Sequence, residues 1–437
     1  MRRTALLLAG CFSATLWAAE PMTLTLDQAL ALARQKTVDL ALARLDLAEF
    51  QSRYRQVIGG ALPQIALSGS YTRNFIHPVV FFFGGKLDAS SDNGFDAAVD
   101  VQQPLYTGGK VLSGIRAAKA ARAAQEERVQ NTENEVVFSV KNLFYNALLS
   151  SATAGIEMDN LSSAQDHLDT IQSRYRQGLD SDLTVRRQKV EVANARAVLI
   201  GAKNTHEMAL ISLQEILTLD VDRPLSVIGT LDPPQESGPS YEAAVRLALA
   251  HHPGLKAARE QVQFYDQLIS VVAADWQPQL ALFGHYEWVA QSNDFSPNPM
   301  ERGTAFSGGI RLNYPLFTGG DRLERVRQAR INRDRALQEQ DRLERAVRVD
   351  VRRQWLTITE ALERARSQQE AIGQARQALA ATETRYKAGQ ASQLELNDAT
   401  FALNRVRTLY ILAAHDYWVG RAALEKAVGG SLQGVQP

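Results

Sequence analysis

Proline is missing from two long tracts of this chain. All 14 prolines fall at 21, 63, 78, 104, 224, 233, 234, 239, 253, 278, 297, 299, 315 and 437, so 105–223 and 316–436 contain none. Both tracts are rich in Ala, Arg, Gln, Glu and Leu, which lose little freedom in a helix, whereas an internal proline would break one. Cysteine is nearly absent as well. Cys11 is the only one, which excludes disulfides and thiolate metal sites from the remainder. No run beyond residue 19 approaches the roughly 18 apolar residues that a spanning helix needs. Net charge is zero, 48 basic against 48 acidic side chains, so the basic footprint of a nucleic-acid binder is missing. Length alone, 437 residues, suggests two to four domains, but small globules would not carry two such tracts.

At the N-terminus, Met1-Arg2-Arg3 precedes an apolar run from Ala5 to Ala19 that ends in small residues, the pattern of a secretory signal over 1–19. Leu8-Ala9-Gly10-Cys11 has the look of a lipobox, the acylation site of bacterial lipoproteins. Cleavage there would leave an apolar core of only 4–10, so cleavage after Ala18 or Ala19 is expected instead.

Sliding the sequence by 215 positions aligns 26–71 with 241–286 without a gap, including Ala29/Ala244, Leu40/Leu255, Arg44/Arg259, Pro63/Pro278, Gln64/Gln279 and Tyr71/Tyr286. At an offset of 211, Pro104-Leu105-Tyr106-Thr107-Gly108-Gly109 meets Pro315-Leu316-Phe317-Thr318-Gly319-Gly320. The same offset pairs Arg174-Tyr175-Arg176-Gln177-Gly178 with Arg385-Tyr386-Lys387-Ala388-Gly389. Three blocks in order indicate a duplication. The expected organisation is a first repeat over 24–217, a proline-rich linker over 218–240, a second repeat over 241–430 and a tail over 431–437.

Within each copy, 110–177 and 321–388 are uninterrupted runs of 68 residues. At about 1.5 Å per residue each predicts a helix of roughly 100 Å. Val136, Val140, Phe144 and Leu148 in one copy, and Val347, Val351, Trp355, Ile358 and Leu362 in the other, recur in steps of three and four and form a packing stripe. Gly178 and Gly389 suit the left-handed end of a helix, and Ser181 and Ser392 can cap the next; Ser392 to Glu395 spells a capping box. Return helices are therefore expected over 183–217 and 394–428, and one further helix per copy near 27–60 and 242–274.

After Pro63 and Pro278 the period changes to two. Ile65, Leu67, Gly69 and Tyr71 alternate with polar residues, as do Leu280, Leu282, Gly284, Tyr286 and Trp288, with Phe283 out of pattern. Phe95, Ala97, Val99 and Val101, then Phe306, Ile310 and Leu312, mark two more strands. Such stretches of 9–12 residues fit either a half-buried sheet or transmembrane strands. Four strands cannot close a barrel, since single-chain barrels begin at about eight and open edges are not tolerated in lipid. Spanning strands would need several chains in one barrel, with 74–93 and 289–303 as exposed loops.

These residues, above all Leu26 to Ala33 and its repeat, Leu62-Pro63-Gln64, the two Pro-Leu-aromatic-Thr-Gly-Gly turns and the paired Arg-Tyr-x-x-Gly elements, resemble the TolC family of outer-membrane efflux proteins over roughly 24–430. The resemblance implies an α plus membrane-β fold with two internal repeats. A homotrimer would build a long α-helical coiled-coil tunnel joined to a β-barrel, with four strands from each subunit. It implies a passive channel with no cofactor, set in outer-membrane lipid, fed by a periplasmic membrane-fusion adaptor and an inner-membrane pump of RND, ABC or MFS type. Docking to the adaptor would fall to Gln177, Gly178, Leu179, Ala388, Gly389 and Gln390, and an acidic aperture ring to Glu395 and Asp398. One departure stands out. Ala391 occupies the place of a gate-locking arginine, and Thr184 the place of its acidic partner, so the family's closing device does not transfer.

Signals for an enzyme are missing. His206-Glu207 is followed by Leu210 rather than a second histidine, and Gly108-Gly109-Lys110 lacks the Ser or Thr of a phosphate loop. His251-His252 before Pro253 reads as a helix break. The alternative is a periplasmic coiled-coil adaptor or spacer of the envelope, which would carry one hairpin rather than two copies with paired strands.

Overall fold

The computed structural model describes residues 22–77, 79–88, 90–234, 240–295 and 301–430. The expected signal with Cys11, and the tail 431–437, lie outside the described residues. In chain order the elements are β1 (Met22–Leu24), α1 (Leu26–Lys36), α2 (Val38–Gly59), β2 (Gln64–Arg73), β3 (Val79–Phe82), β4 (Gly85–Asp88), β5 (Asn93–Tyr106), α3 (Lys110–Arg176) and α4 (Asp182–Ile216). Then come β6 (Leu225–Val227), α5 (Tyr241–His251), α6 (Pro253–Ala273), β7 (Gln279–Ser292), β8 (Glu301–Asn313), α7 (Asp321–Lys387) and α8 (Gln393–Val428). The two longest helices have 67 residues each, as the proline-free tracts predict. These elements fall into two compact units, one of residues up to 41, 133–246 and from 350 on, the other of 42–132 and 247–349.

The first unit is helical. Val136, Val140, Phe144 and Leu148, the predicted stripe of α3, are all buried, together with Leu24, Ala29, Ala33, Leu213 and Leu217. Burying one such side chain contributes about 1.5–3 kcal/mol, and Phe144→Ala would cost about 3–5 kcal/mol through lost contact and a cavity. The linker is more than a tether. Its residues 225–227 form β6, which pairs in parallel with β1, Met22 opposite Leu225 and Leu24 opposite Val227. Beyond it, Trp418 Nε1 donates to the Leu231 carbonyl at 3.0 Å and the Tyr410 hydroxyl donates to Asp232 Oδ1 at 2.9 Å.

The second unit holds an antiparallel sheet in the order β2-β5-β7-β8. Register places Leu67 opposite Val99, Tyr71 opposite Phe95, Val99 opposite Tyr286, and Leu282 opposite Ile310, so one face is continuously apolar. The other face carries Ser70 bonded to Asp96 at 3.0 Å and His285 Nδ1 against Asp100 Oδ1 at 2.7 Å. Phe283, the residue out of pattern, lies on this polar face under the Arg311 guanidinium, 4.7 Å from its ring centre, and opposite Gly309. Both edges of the sheet, β2 and β8, end unpaired among the described residues.

Three expectations need correction. The helices expected near 27–60 and 242–274 are each two: α1 ends at Thr37 (ψ 129°) and α5 at His252 (ψ 117°). His252 is forced extended by the ring of Pro253, which has no N–H to continue the ladder. The loops expected over 74–93 and 289–303 are shorter, because β5 starts at Asn93, β7 runs to Ser292 and β8 starts at Glu301. Finally, the chain has short strands beyond the four in the sheet. One pair, β3 and β4, forms a hairpin through Phe83 (φ +44°) and Gly84 (φ +83°). A left-handed phenylalanine costs about 1 kcal/mol.

Candidate functional site: two helix tips and a membrane sheet

α3 ends at the first tip. Gly178 stands at φ +77°, its N–H donates to the Tyr175 carbonyl at 2.9 Å, and the Leu179 N–H donates to the Arg174 carbonyl at 2.9 Å. This is the Schellman closure, in which a left-handed residue lets the last carbonyls find donors. α7 ends the same way, with Gly389 at φ +75°, Gly389 N–H to Tyr386 at 3.0 Å and Gln390 N–H to Arg385 at 2.8 Å. Ser181 then caps α4 through the Thr184 N–H at 3.2 Å. Ser392 caps α8 in a complete capping box with Glu395. Gln177, Gly178, Leu179, Ala388, Gly389 and Gln390 are all exposed.

Beneath the tips lies an arrangement that sequence patterns missed. The Arg174 Nε donates to Asp180 Oδ2 at 2.8 Å, and the same guanidinium sits 5.4 Å from the centre of the Tyr386 ring. Tyr386 packs with Ile171, Val185 and Leu396, and burial, with Asp180 nearby, pushes its phenol pKa up. Gln393 Nε2 donates to the buried Gln188 at 2.8 Å, adding a second tie between the two hairpins. The duplication was the available signal: Tyr175 and Tyr386 are equivalent in sequence, yet the first is exposed and the second buried. Asp180 likewise occupies the position of Ala391 in the other copy, so only the first copy has the ion pair.

Ala391 packs against the Tyr386 group, and Thr184 Oγ1 bonds Ser181 Oγ at 3.0 Å. Arg186 pairs with Asp182 at 2.6 Å, while Arg187 lines a groove of about 540 Å³ together with Thr184, Gly389 and Asn397. A second groove of about 500 Å³ runs past Asn160, His167, Gln188 and Asn404, where burial holds the His167 pKa below its ordinary value. Glu395 and Asp398 are both exposed on α8, one turn apart. Glu395 Oε2 accepts the Ser392 N–H at 3.2 Å. Leu183 and Leu394, equivalent residues opening α4 and α8, are large exposed apolar side chains at the tips.

On the sheet, Ile65, Leu67, Leu282, Phe306, Ile310 and Leu312 of the apolar face are exposed. Water does not suit such a face, and lipid does. β2 has 10 residues, about 33 Å long, which at a tilt of about 40° spans the roughly 25 Å apolar band of an outer membrane. Aromatic side chains flank it. Tyr106, Trp276, Tyr314 and Phe317 are exposed where strands meet helices, and Tyr71, Phe95 and Phe295 gather at the other end, with ring centres 5.2–6.0 Å apart. None of the described helices is long and apolar enough to cross a membrane.

Long capped helices joined to an amphipathic, open-edged sheet define an outer-membrane channel protein. The family described as outer membrane efflux protein matches residues 29–218 and 244–430, and the chain belongs to that family. It is 25% identical to the outer membrane protein TolC of Vibrio cholerae over 370 residues, 84% of this chain and 82% of that one. It is also 25% identical to the alkaline protease secretion protein AprF of Pseudomonas aeruginosa over 348 residues, 78% and 72% of the two chains. Its fold matches the outer membrane protein VceC of Vibrio cholerae (TM-score 0.78, 20% identity, 93% of this chain and 97% of that one). The CmeC outer membrane channel of Campylobacter jejuni is similar (TM-score 0.79, 16% identity, 93% and 85%).

Proposed function

We propose that the chain forms, as a homotrimer, the exit duct of a three-part efflux or secretion assembly, and that it conducts passively. The observation that carries this reading is the four-stranded sheet whose outer strands, β2 and β8, lack partners among the described residues. Three copies would supply twelve strands, which clears the minimum of about eight for a closed barrel and removes every edge from lipid. In this reading the two repeats, 24–217 and 241–430, are equivalent parts of one subunit joined by 218–240.

A periplasmic membrane-fusion adaptor would meet the tips at Gln177, Gly178, Leu179, Ala388, Gly389 and Gln390. Exposed Leu183 and Leu394 and the two grooves offer apolar anchors and clefts beside them. An inner-membrane pump of RND, ABC or MFS type would act through the adaptor and supply the energy. Adaptor binding biases the tips towards an open state only by contacting that state better. Glu395 and Asp398, tripled, would place six carboxylates around the aperture and favour cations there. Relatives are named for export of an alkaline protease and of pyoverdine, which fits a duct whose cargo is chosen upstream.

Unheated gel electrophoresis of detergent-extracted membranes tests the assembly. A trimer that falls to a 48.2 kDa band or its processed form on heating is the expected result. A soluble periplasmic monomer would refute the proposal. Cross-linking from cysteines placed at 179 and 390 should capture an adaptor.

A further inference from the structure

The sheet carries the duplication in its pairing as well as in its residues. Adding 215 to β2 and 211 to β5, the offsets that align the two copies, carries every pair of β2 and β5 onto a pair of β7 and β8. Gln64 opposite Gln102 becomes Gln279 opposite Asn313, and Ser70 opposite Asp96 becomes His285 opposite Ser307. The offsets come from residue identities alone, so strands and register were copied together.

The two strand pairs meet along one seam inside the chain, β5 against β7. There Val99 stands opposite Tyr286, Asp100 opposite His285 and Gln102 opposite Phe283. β8 and β2 are the copies of β5 and β7, and both are outer strands without a partner among the described residues. They are the two sides of a second seam of the same kind. Because they sit at opposite edges of one sheet, they can meet only between chains. This step rests on the trimer proposed above, in which a head-to-tail contact closes into a ring.

The same offsets, applied to the internal seam, give the register of the second one. Ile310 falls opposite Tyr71 of the partner subunit, Arg311 opposite the partner's Ser70, Leu312 opposite the partner's Gly69 and Asn313 opposite the partner's Ser68. Side-chain alternation agrees, since Ile310 and Tyr71 belong to the apolar face and Arg311 and Ser70 to the polar one. A slip of one residue would set Ile310 against Ser70 and expose the wrong face.

Charge decides against slips of two, which keep the faces. Arg311 is the only lysine or arginine on the polar face of the four strands among the described residues. Within one chain the Ser70 hydroxyl donates to Asp96 Oδ2 at 3.0 Å. The inferred register sets Arg311 in line with that pair, with the partner's Asp96 two strands away, about 10 Å between backbones. A slip of two would instead set it against Ser68, beside Ala98, or Thr72, beside Gly94. In the internal seam the equivalent positions are Asp100 and His285, whose side chains lie 2.7 Å apart. The tie between acid and base recurs between chains with its direction reversed.

We propose that β8 of each chain pairs antiparallel with β2 of the next in this register, and that Arg311 reaches the carboxylate of the partner's Asp96 across the seam.

Disulfide scanning of the full chain in membranes tests this. Cys11 is the only native cysteine, and unsubstituted protein gives the background. Asn313→Cys is combined in turn with Ala66→Cys, Ser68→Cys and Ser70→Cys, all exposed positions of the polar face. Opposite residues hold their Cβ atoms about 4.5–5.5 Å apart and residues two further along about 7–8 Å, whereas a disulfide needs about 3.5–4.5 Å. Close and wide pairs alternate along an antiparallel ladder. Leu312→Cys is therefore scanned likewise against Leu67→Cys, Gly69→Cys and Tyr71→Cys on the other face. The expected result is covalent trimer on denaturing, non-reducing gels, severalfold more with 68 than with 66 or 70, or with 69 than with 67 or 71. Equal or stronger linkage at a slipped position overturns the register, as does no linkage in either series from chains that run as a trimer on unheated gels. Either outcome leaves the trimer standing, whereas monomeric protein on those gels removes the trimer and the seam together. Arg311→Gln and Asp96→Asn should each lower the temperature at which the trimer falls apart, and the double variant no further than the worse of the two. Additive losses overturn the ion pair.

Discussion

Removing Glu395 and Asp398, the two carboxylates proposed to ring the aperture, without disturbing the fold separates electrostatics from structure. Glu395 is in a capping box, so Glu395→Ala removes a charge and also the acceptor of the Ser392 N–H, at a local cost of about 0.5–1 kcal/mol. Glu395→Gln keeps an acceptor oxygen and removes only the charge. Asp398 is exposed, and Asp398→Asn should change stability by no more than about 0.5 kcal/mol. At a distance of about 10 Å in water each carboxylate is worth about 0.4 kcal/mol to a monovalent ion on the axis. Physiological salt leaves roughly a third of that, so six sum to about 0.7 kcal/mol, or about threefold enrichment of cations and threefold depletion of anions. Reversal potentials in a KCl gradient across planar bilayers should therefore show a permeability ratio about tenfold lower in the Glu395→Gln, Asp398→Asn variant. The difference should collapse near 1 M salt, where screening acts over about 3 Å. An unchanged ratio from an intact trimer refutes the ring. Loss of selectivity in Glu395→Ala with selectivity retained in Glu395→Gln assigns the effect to the cap.

Three other outcomes follow from the geometry. Gly108→Ala should be far worse than Gly319→Ala although both glycines have φ +62°: a Cβ at 108 would stand 2.5 Å from Gln277 Cβ and 2.8 Å from the Ala274 carbonyl, whereas nothing lies within 4 Å at 319. The second change should cost only about 1 kcal/mol, and equal yields of heat-resistant protein would contradict this. Asp180→Ala strips a partner from Arg174, whose pair is 21% and 16% exposed; a loss of about 2 kcal/mol, below the 3–5 of a fully buried pair, should speed hydrogen exchange of amides 178–184 about thirtyfold. The last outcome concerns alkali. The phenols of Tyr145 and Tyr410 are pushed up to about 12, by burial and Glu425 in the first and by burial and the bond to Asp232 in the second. Raised values mean the folded state holds these protons more tightly, so the stability they lend is whole below pH 10 and drains between 10 and 12. Melting temperatures followed across that range should fall, and less steeply in Tyr145→Phe.

Much of the helical frame was legible because proline and glycine act locally. Absence of proline set the length of α3 and α7, and Gly178, Gly389, Ser181 and Ser392 marked the tips to within a residue or two. Alternation in β2, β5, β7 and β8 was equally local. The breaks at Thr37 and His252 were less so. A dihedral change at one residue leaves the helical period nearly intact, and only Pro253 announced it. The Arg174, Asp180 and Tyr386 contact was illegible for a different reason, since it joins residues more than 200 positions apart and breaks the equivalence of the two copies. β1 and β6, three residues each, are too short to show a period at all.

The raw edges of β2 and β8 also set an order of events during biogenesis. A strand with free N–H and C=O groups and an apolar face is a template for any other strand it meets. Such a sheet is hazardous while it waits, so its completion has to coincide with arrival in lipid, whereas the capped helices can form beforehand. In the proposed trimer, stability of the finished object would be a property of chain concentration rather than of one chain. Dilution and crowding of the nascent pool would matter as much to its yield as any single contact within it.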